Sequence, residues 1–444
     1  MASTYLNKTY SSAGNRNKWT VSVWLKRSKL GAENPIFFCK PSGNFETFCG
    51  FASDDRLVFK QKNDGNSTGE YVTTRKFRDT NGFYNFVFVY DKDNSTAGDR
   101  GIIYVNGVRE TAFDTSNNFS DVSTWNSTNE MWIGRASSSY FEGVMSHFHF
   151  VDGSALAPTV FGSTDSVTGE WKINTSPSYT VGTNGFFILK DGNSVTDSST
   201  NSNAWSVGGG TLTKTEDCPS NVFCTVNPLA NYYPASSFAN GNTYVSTAGS
   251  RRSYNNSTLA VSSGKYYWEV KCVSSVGASN GCFIGIASTT PTNDGSSSAA
   301  SLGTKQYDYG YLSYDGKILE NGSYNNYGNS YTDNDIIGVA MDLDNNKLYF
   351  SKNGTWQNSG VPTSGSTGTG AFSIQDPSGT VNGIYTPSLG DWWSSGFNVA
   401  FNFGNGFFQT TAVSSAGANA SGNGIFEYDV PTGYTALSTK GLNL

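Results

Sequence analysis

Glu427 and Asp429, separated by Tyr428, are the nearest this sequence comes to the paired carboxylates of a glycoside hydrolase, which needs one as acid and one as nucleophile or base. No Glu-x-Asp-x-Glu or Glu-x-Asp-x-x-Glu run occurs, and Val430-Pro431 follows directly. Carboxylates brought from separate strands would escape such a search, so a polysaccharide depolymerase is disfavoured but stays open. No Gly-x-Ser-x-Gly elbow stands beside a strand-helix pattern, and no Walker loop is present. His147 and His149 are the two histidines, and on a regular strand they would share one face while Phe148 and Phe150 took the other. Two imidazoles can hold a metal, but no third ligand has suitable spacing, so a structural pair is expected.

Recognition has more material. Tyr307, Tyr309, Tyr311, Tyr314, Tyr324, Tyr327 and Tyr331 crowd one segment, interleaved with Asn and Gly, and Trp392-Trp393 follows Gly390-Asp391. Planar rings beside amide and carboxylate groups stack on sugar faces and bond their hydroxyls. Tyr309 and Tyr311 alternate on an expected strand and are read as packing between sheets. Tyr324, Tyr327, Trp392 and Trp393 lie in turn-rich sequence and are the candidate contacts to a glycan or a protein partner, which draw on the same chemistry.

Composition narrows the classes. A chain of 444 residues exceeds a single ordinary core. Charged residues are 14% against about 25% in typical soluble proteins, whereas aromatics reach 14% and Gly numbers 50. That apolar area excludes disorder, and neutral Asn, Ser, Thr and Gly suit a turn-rich all-β chain. The net charge is −6 and no Lys/Arg run is longer than a pair such as Lys26-Arg27 or Arg251-Arg252, which argues against nucleic acid. No stretch has the roughly 18 apolar residues of a membrane span, and the N-terminus lacks an apolar signal core, so no membrane insertion and no Sec-type export are expected. The six Cys fall as Cys39/Cys49, Cys218/Cys224 and Cys272/Cys282, with no CxxC spacing. The first and last pairs flank expected turns and would lie on neighbouring strands as thiols or a bridge; without an export signal, thiols are expected.

The elements that would position these groups are strands. In Asp333–Trp356, Ile337, Val339, Met341 and Leu343 alternate with Gly338, Ala340, Asp342 and Asp344, which predicts one row in a core and one facing outward. Asp344-Asn345-Asn346 and Asn353-Gly354 supply two tight turns around Leu348-Tyr349-Phe350, completing a three-stranded meander. Trp19–Leu25, Phe48–Leu57, Phe83–Tyr90 and Ile102–Val108 read as strands of a second such system. Between them Gly185–Leu189 and Ala204–Leu212 could each add a strand, and Trp171, Phe186, Phe187 and Trp205 require burial.

The meander, with Tyr266–Val270, Phe283–Ala287 and Phe397–Gly404, resembles the SPRY family over roughly residues 246–404. That resemblance implies a bent, concanavalin-like sandwich that recognises partners through loops and carries no catalytic machinery. Residues 20–162 resemble the laminin-G-like branch of the concanavalin-like lectins, through VSVWLKRS, FYNFVFVYD, GIIYVNGV, MWIGRAS and FEGVMSHFHFVDGSAL. This implies sugar or protein binding on a loop-rich rim, often with calcium; Asp91, Asp93 and Asp99 are the candidate ligands, or equally turn formers. The run Thr213–Leu229 and the tail from Gly404 resemble the surroundings of SPRY-like domains in virion proteins of marine bacteriophages.

The expected architecture is all-β, with two concanavalin-like antiparallel sandwiches, residues 1–165 and 243–444, joined by an ordered connector at 166–242. The expected role is a non-enzymatic bacteriophage virion protein, assembled in the host cytoplasm, a tail fibre or surface appendage that binds host-surface glycan. An architectural capsid-decoration or tail-connector protein is the alternative. Other virion proteins and further copies of the chain are the expected partners.

Overall fold

The computed structural model describes residues 3–41, 44–190, 194–231, 236–247, 252–277, 281–290, 301–392 and 396–443. Among these residues all regular structure is strand apart from short 3-10 turns. The chain divides into two compact units, one running to Lys214 with Cys218–Ser220, the other comprising Thr215–Asp217 and the residues from Asn221 onward.

In the first unit an eight-stranded sheet, with Asn34–Cys39 and Glu46–Phe51 at its centre, faces a six-stranded sheet built around Lys18–Arg27 and Gly143–Asp152. Trp19, Phe37, Phe59, Phe88, Trp125 and Phe150 form the core. Trp19 lies stacked on Tyr90 with centroids 5.2 Å apart. The stretch Phe48–Leu57 is two strands rather than one, because Asp55 at φ 71° closes a turn between them. Arg27 is buried beside that turn: it pairs with Asp55 at 3.1 Å and lies 4.2 Å over the Phe51 ring.

Residues 166–242, expected as a connector, do not form a separate piece. Phe186–Ile188 adds to the edge of the six-stranded sheet and Ser206–Gly209 to the edge of the eight-stranded one. Trp205 enters the first core, stacked on Trp125 at 6.1 Å. Asp152 fixes this segment by accepting hydrogen bonds from Asn184 N at 3.0 Å, Asn126 Nδ2 at 2.7 Å and Asn15 N at 2.8 Å. From Val226–Asn231 onward the strands belong to the second unit.

The second unit packs a seven-stranded sheet, centred on Cys282–Ala287, against a nine-stranded one centred on Lys265–Ser274. The expected meander is present as Ile336–Asp342, Lys347–Lys352 and Thr355–Trp356, with Asn346, Asn353 and Gly354 at positive φ in its turns. Tyr309 and Tyr311 lie between the sheets, as expected. One expectation fails: Ile336–Asp342 is buried on both faces. The C-terminal segment lays Phe426, Val430, Tyr434 and Ala436 over Tyr267, Ala340 and Tyr349, and Thr435–Ala436 pairs in parallel with Tyr266–Tyr267. Period two marks two faces, and the outer one here meets a further layer of chain instead of water.

All six cysteines are free thiols. Cys272 and Cys282 are not on neighbouring strands, since one belongs to the nine-stranded and the other to the seven-stranded sheet, and burial raises both thiol pKa values.

Candidate functional site

Two of the four aromatic candidates come together. Tyr324 is on Ser323–Asn326, the edge strand of the seven-stranded sheet, and Trp392 directly follows Thr386–Asp391 of the same sheet. Their rings meet edge to face at 6.2 Å, and Trp392 makes a like contact with buried Phe283 at 5.9 Å. The Arg252 guanidinium lies 3.9 Å from the Trp392 ring centroid. Trp392 is half-buried against the satellite cluster of Tyr254, Phe283, Leu302 and Leu319, whereas Tyr324 is 44% exposed. An exposed ring, held by an anchored one carrying a cation, is a platform suited to a sugar face and its hydroxyls.

Tyr327 is not part of that platform. It is buried with Tyr311, Phe350 and Phe372 around it, and its hydroxyl accepts a hydrogen bond from Phe350 N at 3.2 Å. Its Asn- and Gly-rich surroundings read as a surface loop, yet Gly328 sits so close to Tyr311 Oη and Gln357 that a Cβ would lie 2.8 Å from each, which draws the segment inward. Trp393 lies outside the described residues.

The calcium candidates do not converge. Asp91 pairs with Lys18 at 2.9 Å, Asp93 with Lys92 at 2.6 Å and Asp99 with Arg109 at 2.6 Å. Among the described residues no group of three or more His, Cys, Asp or Glu side chains is arranged to hold a metal. The two histidines also depart from a regular strand: His147 has φ 50° at a bulge between Ser146 and His149. Both rings nonetheless contact Phe187, and His149 stacks on it at 3.8 Å with Nδ1 2.6 Å from the Tyr179 hydroxyl. Burial pushes the His149 pKa well below the ordinary imidazole value, so it serves as a neutral core group.

A concave site formed by the C-terminal segment and the meander was not anticipated. This cleft of about 540 Å³ has Tyr267 and Ser351 at its base, Trp356 and Tyr428 among its walls, and Glu427 and Asp429 in its lining. Ser351 Oγ is buried and has no hydrogen-bond partner among the described residues, a condition that costs about 1–3 kcal/mol when it persists. Beneath the cleft, Glu269 accepts from Glu427 N at 2.9 Å, Tyr428 N at 2.8 Å, Asn402 Nδ2 at 3.2 Å and the Tyr267 hydroxyl at 3.1 Å. Burial lifts its carboxyl to about 7 against the downward pull of those donors. The sequence held a partial signal, for Trp356 ends the meander and Glu427-Tyr428-Asp429 is the nearest fragment to a carboxylate motif, but nothing local joins them.

The fold is that of two antiparallel β-sandwiches, one concanavalin-like and one containing a SPRY domain. The first unit is a concanavalin-like domain: residues 2–161 match the Concanavalin A-like lectin/glucanases superfamily. The second contains a SPRY domain, matched over residues 265–374. The ATP-dependent RNA helicase DDX1 of Xenopus laevis is 36% identical over 98 residues, 22% of this chain and 12% of the helicase, so the chain spans a small fraction of that relative. Among solved structures, the SPRY domain of human HERC1 is similar at 18% identity and a TM-score of 0.30, over 40% of this chain and 96% of that one. A heptameric SAP-like pentraxin from Limulus polyphemus is similar at 16% identity and a TM-score of 0.29, over 43% and 90% of the two chains.

Proposed function

We propose that this chain is a non-enzymatic structural protein of a bacteriophage virion, a tail fibre or surface appendage that binds host-surface glycan through its second unit. The virion assignment rests on the resemblance of the Thr213–Leu229 run and the C-terminal tail to marine phage proteins. The glycan assignment rests on the Tyr324–Trp392–Arg252 platform, an exposed Tyr324 ring beside a half-buried Trp392 that carries Arg252. Repetition of the subunit around a symmetric particle multiplies a weak contact into firm attachment, so no single site needs high affinity.

Trp392→Ala and Tyr324→Ala each remove a ring from the platform. Each is expected to lower binding of the chain to host cells by about tenfold or more, the factor that 1.4 kcal/mol represents. Circular dichroism and the melting temperature report whether the variant has stayed folded. Folded variants that bind as well as the parent would remove the platform from the reading, and release of reducing sugar from host polysaccharide would overturn the non-enzymatic assignment.

A further inference from the structure

We infer that the cleft between the meander and the C-terminal segment is a second saccharide site, selective for sugar rings that are neutral or carry an amino cation and closed to uronic and sialic acids. Its volume of about 540 Å³ lies within the roughly 300–1,000 Å³ common for ligand pockets. Two rings, Trp356 and Tyr428, offer faces for the apolar side of a pyranose.

The walls are set in advance. Gly354, at φ +78°, lies so close to Tyr428 that an added Cβ would stand 2.6 Å from its ring, and a Cβ at Gly417 would stand 2.2 Å from the Tyr428 carbonyl carbon. The Tyr428 backbone N–H is further held by donating a hydrogen bond to Glu269 at 2.8 Å. A backbone fixed at two points and a ring abutting Gly354 place Tyr428 before any ligand arrives.

Charge supplies the selectivity. Glu427 accepts from Ser414 N at 2.7 Å and from the Ser414 hydroxyl, and Asp429 accepts from Ala418 N at 2.6 Å. A carboxylate has about four lone-pair sites, so both retain capacity for sugar hydroxyls or an ammonium group. No lining residue is basic, so an acidic sugar would meet two like charges with no cation to offset them. The cleft shares no residue with the Trp392 platform, which carries Arg252, and the inference stands or falls independently of it.

Titration of the full chain with glucosamine tetramer, N-acetylglucosamine tetramer and tetragalacturonate, followed by calorimetry and saturation-transfer NMR, tests this. Saturable binding of the first two and none of the third is expected. Trp356→Ala should weaken both by tenfold or more. Because Trp356 also packs on Tyr267 and Tyr349, Asp429→Asn is the variant less exposed to misfolding. It should weaken the glucosamine oligomer by about three- to tenfold and spare the N-acetylated one. Equal binding of tetragalacturonate, undiminished binding by a folded Trp356→Ala chain, or no loss on Asp429→Asn would each overturn the assignment.

Discussion

Replacing Glu269 by Ala is expected to cost the second unit about 3–5 kcal/mol and to loosen the C-terminal segment from the sheet. The carboxyl is fully buried, and four donors converge on it from the tail, from Asn402 and from Tyr267. Alanine leaves those donors without their acceptor in a largely buried place, at up to about 1–3 kcal/mol each, partly offset because a carboxyl no longer has to be buried. Glu269→Gln keeps the shape but exchanges one acceptor for a donor and should lose less. Denaturant unfolding followed through the second unit measures both. A loss below about 1 kcal/mol in Glu269→Ala would mean that the Phe426–Tyr434 packing alone holds the tail.

The same carboxyl makes this unit sensitive to pH. Its folded pKa of about 7 stands above the ordinary value of 4.5, so between those values the folded chain holds a proton that the unfolded chain has lost. The resulting stability is fully present below 4.5 and declines as pH rises through about 7, by up to about 3 kcal/mol at 1.36 kcal/mol per unit. Asp308, raised by burial to about 6, acts in the same direction. Glu269→Gln should flatten the profile, and an unchanged slope would assign it to other groups.

In the first unit the largest expected loss comes from Asp55→Ala. Arg27 is completely buried and Asp55 nearly so, and the carboxylate also accepts from Gly31 N at 3.0 Å and pairs with Arg78 at 3.2 Å. Removing it strands the guanidinium with carbonyl oxygens and the Phe51 face, which costs about 3–5 kcal/mol in comparable buried pairs. Asp55→Asn, which keeps an acceptor for Gly31 and Arg27, should recover part of this. A loss under about 1 kcal/mol would show that the Phe77 and Lys29 carbonyls suffice. The pH response of this unit runs opposite to that of the second. His149 is depressed by burial, so its contribution is full above the ordinary imidazole value near 6.5 and is lost as pH falls below it. Moving from pH 8 to pH 5 should therefore stabilise the second unit and weaken the first, with a calorimetric transition assigned to each by Glu269→Gln and Asp55→Asn.

Much of the fold was legible because its signals are local. The Asp344–Asn346 and Asn353-Gly354 turns state the meander, and Trp19–Leu25 states the central strand of the first sandwich. The failures are long-range. Nothing near Trp205 tells that it stacks on Trp125, so the segment carrying it read as a connector. The Gly338-Ala340-Asp342 face read as outward because the chain that covers it arrives only at Phe426–Ala436. Tyr324 and Tyr327 looked alike in sequence, yet one stays exposed on an edge strand and the other turns under Phe350. Trp392 was named from its turn-rich setting, but its partners Arg252 and Tyr324 come from distant parts of the sequence. The cleft pairs Trp356 with Tyr428 in the same way, through tail docking on Glu269.

Binding of the purified chain to intact candidate host cells, before and after periodate oxidation of their surface sugars, is the most direct test of glycan attachment. Saturable binding that periodate abolishes and that Trp392→Ala reduces is the predicted result. Binding that survives periodate undiminished, or no binding by a folded sample across candidate hosts, would contradict it and favour the architectural alternative.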